Sequence, residues 1–168
     1  MTVLTTARLL LDPLTASHAD ALYEIYSETA VRRFLITRPA DRGEFDRLFD
    51  HALHFANSHG MWAVIDRATS AVIGRVGFFA FGAQRRPELA FLLAQRMWGH
   101  GLATEAAAAA LRDGFARHGW HEIVALVRPE NAAAIRVLGK LGMESEQRCT
   151  VAGEPVVIYA LRRQAFSL

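Results

Sequence analysis

The amino-acid sequence predicts an α/β fold: a single mixed, mainly antiparallel sheet of six or seven strands, flanked by about four helices. One indication is an apolar run, residues 88–93, that leads through a glycine-bearing turn into an Ala-rich helix beginning at Leu102. A second apolar, β-branched run, residues 123–127, follows that helix. The three segments together predict two near-parallel strands joined by a right-handed crossover. Pairs of apolar runs on either side of this unit predict antiparallel hairpins.

Composition limits the class of protein. A chain of 168 residues, 52% of them hydrophobic, is long enough for one domain, predicted over residues 1–168, that needs no disulfide or metal. Cys149 is the single cysteine, which excludes an intrachain disulfide; with no signal-peptide pattern at the start, this favours a reducing, cytoplasmic location. Apolar runs stay well short of about 18–20 residues, so neither a membrane span nor a membrane partner is expected.

The charge pattern does not favour a nucleic-acid partner. The net charge is +2, and the basic residues are nearly all arginines in scattered pairs, with Lys140 the single lysine. Nucleic-acid-binding domains usually gather their basic residues on one face. A nucleic-acid-binding domain therefore remains an alternative that rests on arginine content alone.

The first half of the chain predicts a strand, two helices and a hairpin. Residues 6–14 form an apolar run that Pro13 stops, and Thr15 or Ser17 can N-cap the helix that follows. Residues 34–36 form a short connector, and a second helix with an apolar stripe begins near Asp41. Residues 61–65 and 72–79 then predict a hairpin, and two glycines within its second strand, Gly74 and Gly77, indicate a bulge or a close backbone neighbour.

The second half predicts the crossover unit, one more helix and a closing hairpin. The long helix covers residues 102–117, and Pro129 closes the strand after it. Asn131 is placed to N-cap the last helix, and Gly142 is placed at the left-handed position after its end. Residues 143–149 and 156–161 predict the final pair of strands.

The turn between the crossover strand and its helix predicts an anion site. Gly99 and Gly101 permit a close backbone approach, and the helix that follows offers free N–H groups and the positive end of its dipole. A P-loop is excluded because Gly139-Lys140 is followed by Leu141. A dinucleotide fingerprint is excluded because Thr104 stands where a third glycine or alanine is needed. A pyrophosphate cradle of another kind remains.

The loop and four other stretches resemble the GNAT superfamily of acetyltransferases. Residues 99–106, preceded by Trp98, resemble the acetyl-CoA pyrophosphate loop, most closely in the branch of the ribosomal-protein N-terminal-alanine acetyltransferases. Four further segments match that branch in order and spacing, namely residues 6–11, 73–77, 88–93 and 131–143. The resemblance covers nearly the whole chain and implies a fold in which the two parallel strands are splayed, with acetyl-CoA as cosubstrate and no metal.

The resemblance also implies the residues that bind the donor. The pyrophosphate would be held by backbone amides of Gly99, His100, Gly101, Leu102, Ala103 and Thr104. The side chain of His100 either reaches a phosphate or only lines the surface. Leu92, Leu93 and Ala94 would offer backbone groups to the pantetheine arm and the thioester carbonyl, where an N–H stabilises an oxyanion. Asn131 would bond the pantetheine, in addition to or instead of capping its helix.

Glu88 is the candidate catalytic residue. Several family members place a carboxylate at this point of the strand, where it takes the ammonium proton before the amine attacks the thioester. The alternative is an ordinary polar residue at a strand start. The family often has Ser at the position of Ala134 or Tyr at that of Leu138, as partners of the leaving thiolate. Their absence makes an acetyl-CoA-binding sensor with weak or no activity the alternative to an N-acetyltransferase.

Two other sets of reactive side chains are interpreted as structural. His51 and His54 share one face of a helix but have no acidic or thiol partner at matching spacing, which favours a solvated flank over a metal site. Cys149 has no histidine or acid at a recognisable spacing, which favours a packed thiol over a nucleophile.

The acceptor is expected to be an amine, either a protein N-terminus or a small molecule, and the chain is expected to be a monomer or homodimer. Five arginines in two loops would favour an acidic acceptor if they faced it, and otherwise are solvated: Arg32, Arg33, Arg38, Arg85 and Arg86.

Overall fold

A computed structural model describes residues 2–166, and the strands in that range belong to one sheet. The strands are β1 Leu4–Thr5, β2 Leu9–Pro13, β3 Met61–Asp66, β4 Val72–Phe81, β5 Arg86–Leu93, β6 Glu122–Val127, β7 Glu144–Val151 and β8 Glu154–Arg162. The helices are α1 Ala19–Ser27, α2 Thr29–Arg32, α3 Arg42–Phe55, α4 Leu102–His118 and α5 Ala132–Lys140. The strand order is β1-β2-β3-β4-β5-β6-β8-β7, so the sheet is mixed and mainly antiparallel, as predicted.

The parallel neighbours β5 and β6 separate shortly after they meet. Glu88 beside Val124 is the single register pair between them within the described residues, whereas β5 is paired with β4 along its whole length. A gap therefore opens in the sheet toward the ends of both strands. Helix α4 begins at Leu102, just beyond the end of β5, so its N-terminus lies at this gap. This splayed pair is the one that the resemblance implied.

Alternation along β4 directs side chains to two different cores. Val76 and Phe78 are fully buried in the core that contains α4. Phe79 packs on the other core, which α1 and α3 cover. Since successive residues of a strand point to opposite faces, Arg75 lies on the same face as Phe79. The α1 and α3 face is therefore the one that carries charged side chains toward a cavity.

The two glycines of β4 are explained by close neighbours, as predicted. A Cβ atom at Gly74 would lie 2.1 Å from the Leu92 carbonyl oxygen, and one at Gly77 would lie 2.4 Å from that of Gly60. Real Cβ atoms do not approach backbone oxygens so closely, so larger residues would push the adjacent segments apart. Gly74 therefore allows β4 to lie close to β5, and Gly77 allows it to lie close to the start of β3.

The prediction of six or seven strands is wrong by one strand, whereas the prediction of about four helices agrees with the five that are observed in residues 2–166. Residues 2–166 form eight strands, because Leu4–Thr5 folds back to pair with β2. Residues 6–8 make the bend that permits this pairing, closed by a hydrogen bond from the Thr6 N–H to the Leu9 carbonyl. The same range contains five α-helices, because Thr29–Arg32 adds a single turn that is too short to show a periodic pattern. None of the helices within residues 2–166 has the length and hydrophobicity of a bilayer-crossing segment.

Candidate active site

The loop before α4 presents a row of unused backbone N–H groups. Gly99 and Gly101 both have left-handed φ angles, +80° and +77°, which favour glycine. The first intrahelical bond runs from the Glu105 N–H to the Gly101 carbonyl. Within residues 2–166, the N–H groups of Leu102, Ala103 and Thr104 therefore have no protein acceptor. Aligned donors at a helix N-terminus form the kind of site that binds phosphate.

A charged contact with the start of β2 fixes this loop in place. Glu105 accepts hydrogen bonds from the Thr6 hydroxyl at 2.6 Å and from the Arg8 N–H at 2.9 Å. Its carboxylate also pairs with the Arg8 guanidinium at 2.7 Å. Partial burial alone would raise the pKa of Glu105, but the bonds from Thr6 and Arg8 outweigh it and lower that pKa. Arg8 donates in addition to the His100 carbonyl at 2.8 Å, which joins β2, the loop and α4.

A cleft of about 290 Å³, the loop cleft, runs from this loop into the gap between β5 and β6. Most of the predicted donor-binding residues line it, namely Leu92, Leu93, Gly99, Gly101, Leu102, Ala103, Thr104 and Asn131. His100 is exposed and is not among its lining residues, and Ala94 is fully buried away from it. Two basic side chains of α5, Arg136 and Lys140, line the loop cleft and were not singled out from the sequence. Their spacing of one helical turn was the available signal.

Hydrogen bonding along β5 decides which backbone groups face the gap. The Ala94 N–H donates to the Ile73 carbonyl at 2.8 Å, so it is directed at β4. Because bonded pairs alternate along an antiparallel ladder, the N–H of Leu92 is also directed at β4, and those of Phe91 and Leu93 point to the gap. The Leu93 carbonyl accepts from the Trp98 indole at 2.8 Å, which ties the strand end to the loop. Phe91 was not predicted as a site residue.

Asn131 caps α5 and also faces the loop cleft. Its side-chain oxygen accepts the Ala134 N–H at 3.1 Å, which confirms the predicted N-cap. The amide nitrogen makes no hydrogen bond to another group within residues 2–166. Both roles considered from the sequence are therefore compatible with one side-chain orientation.

A second cavity, the aromatic cavity, lies on the α1 and α3 face and encloses about 350 Å³. Its walls are mainly aromatic, and include Tyr26, Phe34, Phe45, Phe49, Phe79 and Phe81. It shares Phe34, Leu92, Asn131 and Ala134 with the loop cleft, so the two spaces adjoin at the gap. A ligand held by the loop can thus present its far end to a second molecule in the aromatic cavity.

Glu88 lies in the aromatic cavity beside the start of the gap. The residue is half-buried, and its carboxyl has no hydrogen-bond partner within residues 2–166. Burial raises the pKa of Glu88 to about 7, against the positive charge of Arg75, which lowers it. A carboxyl group with this pKa is charged in about half of the molecules near neutral pH and exchanges protons readily there.

Arg75 is a charged residue of the aromatic cavity that sequence reasoning missed. Its Nε atom donates to the Tyr26 hydroxyl at 2.8 Å, and its guanidinium lies 5.3 Å from the centre of the Phe79 ring. No carboxylate within residues 2–166 lies within ion-pair distance of it. A lone charge inside an otherwise apolar strand, residues 72–79, was the signal that could have found it.

The other candidates lie outside the loop cleft or have partners of their own. Cys149 is half-buried on β7 and lines neither space. His51 stacks on Phe79 at the aromatic cavity, and His54 is exposed. Within residues 2–166, no group of three or more His, Cys, Asp or Glu side chains is arranged to bind a metal.

The arginines predicted to favour an acidic acceptor are not among the residues that line the aromatic cavity. Arg86 pairs with Glu122 and Glu146, and Arg38 pairs with Glu154. Arg32 donates to the Pro39 carbonyl.

Comparison with known proteins assigns the family. Residues 8–144 match the model of the acetyltransferase (GNAT) domain. The chain therefore belongs to the GNAT acetyltransferases, which are acyltransferases that use acetyl-CoA as cosubstrate. The loop cleft suits such a donor, because free amides and two cations lie at one end and unpaired strand edges at the other.

Individual relatives and one solved structure show how far the similarity extends along the chain. YoaA of Bacillus subtilis (strain 168), an uncharacterized N-acetyltransferase, is 28% identical over 148 residues, which cover 86% of this chain and 84% of that protein. YkkB, an uncharacterized protein of the same organism, is 32% identical over 101 residues, 59% of each protein. The structure of the ribosomal-protein-S5-alanine acetyltransferase from Vibrio fischeri superposes with a TM-score of 0.79 at 15% identity, covering 100% of both chains. That likeness shows the shared fold.

Proposed function

We propose that the chain transfers an acetyl group from acetyl-CoA to a primary amine by direct attack within a ternary complex. The observation that carries the proposal is Glu88, a carboxyl group with a pKa of about 7 in a cavity that adjoins the loop cleft. The acceptor class is a protein N-terminus or a small-molecule amine, and it would occupy the aromatic cavity.

The donor end of the site, which is the loop cleft, would bind acetyl-CoA and orient its thioester. Acetyl-CoA supplies the acetyl group as a thioester. The free amides of residues 102–104 would hold its pyrophosphate, and Arg136 and Lys140 would add positive charge beside it. The N–H groups of Phe91 and Leu93, directed at the gap, are the candidates for stabilising the oxyanion of the tetrahedral intermediate.

The acceptor end of the site, which is the aromatic cavity, would remove a proton from the acceptor amine. Glu88 in its carboxylate form takes one proton from the ammonium group, and the free amine then attacks the carbonyl carbon. A C–N bond forms, the C–S bond breaks, and the amide nitrogen loses its second proton to solvent. The side chains of Ala134 and Leu138 carry no hydroxyl, so the leaving thiolate takes its proton from water.

The test combines turnover with donor binding. Purified protein with acetyl-CoA and a panel of amines (peptides with free N-termini, polyamines, aminoglycosides and amino acids) should release CoA and give products heavier by one acetyl group. Glu88→Gln should lower kcat/KM for the acceptor on the order of 100- to 1,000-fold while the Kd for acetyl-CoA stays unchanged. Glu24→Gln, which alters an exposed carboxyl on α1, is the matched control. Activity of Glu88→Gln within threefold of wild type would contradict the base role.

A second candidate, an acetyl-CoA-binding sensor, is favoured by the apolar side chains of Ala134 and Leu138 in the aromatic cavity. It predicts tight binding of acetyl-CoA and no product with any amine. Glu88→Gln should have no effect on the binding of acetyl-CoA. Calorimetry with acetyl-CoA alongside the turnover assay separates the two functions.

A further inference from the structure

Arg75 is held in one orientation inside the aromatic cavity. Its Nε atom donates to the Tyr26 hydroxyl at 2.8 Å, and Nη1 makes a weak contact of 3.7 Å with the Met61 sulfur. The guanidinium lies 5.7 Å from the centre of the Tyr26 ring and 5.3 Å from that of Phe79. Fixing one edge of the guanidinium in this way leaves the N–H groups of Nη2 without a protein acceptor within residues 2–166.

This arrangement differs from that of two other partly buried arginines, Arg128 and Arg86. Arg128, which also lines the aromatic cavity, pairs with Glu130 and Glu154, each at 2.7 Å. Arg86 likewise has two glutamate partners. A half-buried guanidinium loses hydration, and a carboxylate normally compensates for that loss. Arg75 has the fixed donors but makes no ion pair within residues 2–166, because the Glu88 carboxyl in the same cavity lies beyond ion-pair distance, so the compensating anion is expected from a ligand.

The face of the sheet between Arg75 and Glu88 carries no large side chain. On this face the register pairs are Arg75 with Leu92, Gly77 with Ala90, and Phe79 with Glu88. The middle pair carries little or no side chain. Four residues along a strand span about 13 Å, and the Arg75 guanidinium extends over Phe79, toward Glu88. A molecule of modest size can therefore touch both charged groups.

We propose that the acceptor is a small primary amine that carries a carboxylate and an apolar body, with Arg75 binding the carboxylate and Glu88 facing the amine. This inference rests on the proposed function and names its substrate class. One N–H of Nη2 and the second N–H of Nη1 can bind a carboxylate through two parallel hydrogen bonds. The aromatic walls suit the apolar body, and about 350 Å³ is at the small end of ligand cavities.

The experiment uses matched pairs of amines. Each aromatic or aliphatic amino acid, with one to four carbons between amine and carboxylate, is compared with its primary amide. Peptides with acidic residues near the N-terminus form a third arm. Initial rates with acetyl-CoA give kcat/KM, and calorimetry with the CoA-loaded protein gives acceptor binding without turnover. The acid of the preferred pair should exceed its amide on the order of 10- to 100-fold in both measurements.

Variants assign the preference to Arg75. Arg75→Gln should remove the preference by raising KM for the acid while the amide is unaffected, and Arg75→Lys should recover part of it. Arg112→Gln removes an exposed arginine of α4 outside both spaces and should leave the preference intact. Circular dichroism melts verify that each variant is folded.

The outcomes separate this inference from the proposed function. Acetylation of amides as fast as acids, or an acid preference that survives in Arg75→Gln, overturns the role of Arg75 but leaves acetyl transfer standing. A higher kcat/KM for acidic peptides than for every small acid overturns the small-molecule class. If nothing is acetylated, binding decides: Arg75-dependent binding of acids supports the inference although catalysis fails, and no binding overturns it.

Discussion

The two adjoining spaces, the loop cleft and the aromatic cavity, are built in different ways. The row of free amides in the loop cleft lies in one contiguous segment, residues 99–105, which also contains the glycines and the anchoring carboxylate. The aromatic cavity combines side chains from α1, α3, β4 and β5, such as Tyr26, Phe49, Arg75 and Glu88. Local sequence therefore encodes this row of amides, whereas the aromatic cavity exists only when distant segments pack together.

The energetics of the two ends differ in the same way. Glu105 at the loop is saturated with partners, and those partners lower its pKa. Glu88 in the aromatic cavity has no hydrogen-bond partner within residues 2–166, and its pKa is raised. The Glu105 carboxylate stabilises the structure. The charged form of Glu88 is disfavoured by burial, which gives this group a pKa that suits proton transfer. Changes at one end should accordingly leave the binding constants of the other end unaltered.

The largest expected effect is the pH dependence introduced by Glu88. With a pKa of about 7 in the folded state and 4.5 as its ordinary value, the native protein binds more protons than the unfolded chain between these values. Stability should fall as pH rises from about 4.5 through 7. Glu88→Gln should thus match wild type near pH 4.5 and exceed it at pH 8 by about 3 kcal/mol in the free energy of unfolding, measured with urea.

The same group should control the rate. In the wild type, kcat/KM for the acceptor should rise about tenfold per pH unit below pH 7 and then level off. In the wild type the positive charge of Arg75 lowers the pKa of Glu88. Arg75→Gln removes that charge and should therefore move the midpoint of the rate profile to a higher pH. The Kd for acetyl-CoA should not follow this profile, and a matching profile in donor binding would show that the two ends are not independent.

An intermediate effect is expected at the donor end. Arg136→Gln with Lys140→Gln should raise the KM for acetyl-CoA about tenfold, because two exposed cations near the loop are lost. The difference should shrink between 50 and 500 mM salt as screening grows, and acceptor KM should stay constant. Arg112→Gln is the exposed control. An unchanged KM for acetyl-CoA in the double variant would remove both residues from the donor site.

The smallest effect is expected from Tyr26→Phe. Loss of the hydroxyl that accepts from Arg75 frees the guanidinium to rotate, which should raise acceptor KM about three- to tenfold without changing kcat. Tyr23→Phe alters the same helix at a hydroxyl that has no hydrogen bond in the described part of the chain and should have no effect. Equal effects of the two substitutions would indicate helix packing, not orientation of Arg75.

Elements with strong local signals were predictable, and elements without them were not. Asp41 and Asn131 were correctly identified as the N-termini of α3 and α5, because a cap acts on amides within three residues. The two-residue strand β1 was missed, since its pairing follows from the bend at residues 6–8 that contacts Glu105. Among site residues, Phe91 was missed because the ladder register, which is a tertiary property, decides which amides face the gap.

The sequence by itself indicated the family, a candidate anion-binding loop and the candidacy of Glu88, because glycine spacing and a helix N-terminus act over a few residues. Only the tertiary structure decided the rest. It placed the predicted arginine pairs outside the aromatic cavity and left Arg75 inside it without a carboxylate partner within residues 2–166. It also set the pKa of Glu88 at about 7. Burial and pairing are sums over residues far apart in the chain, and they become fixed when α1 and α3 close over the sheet.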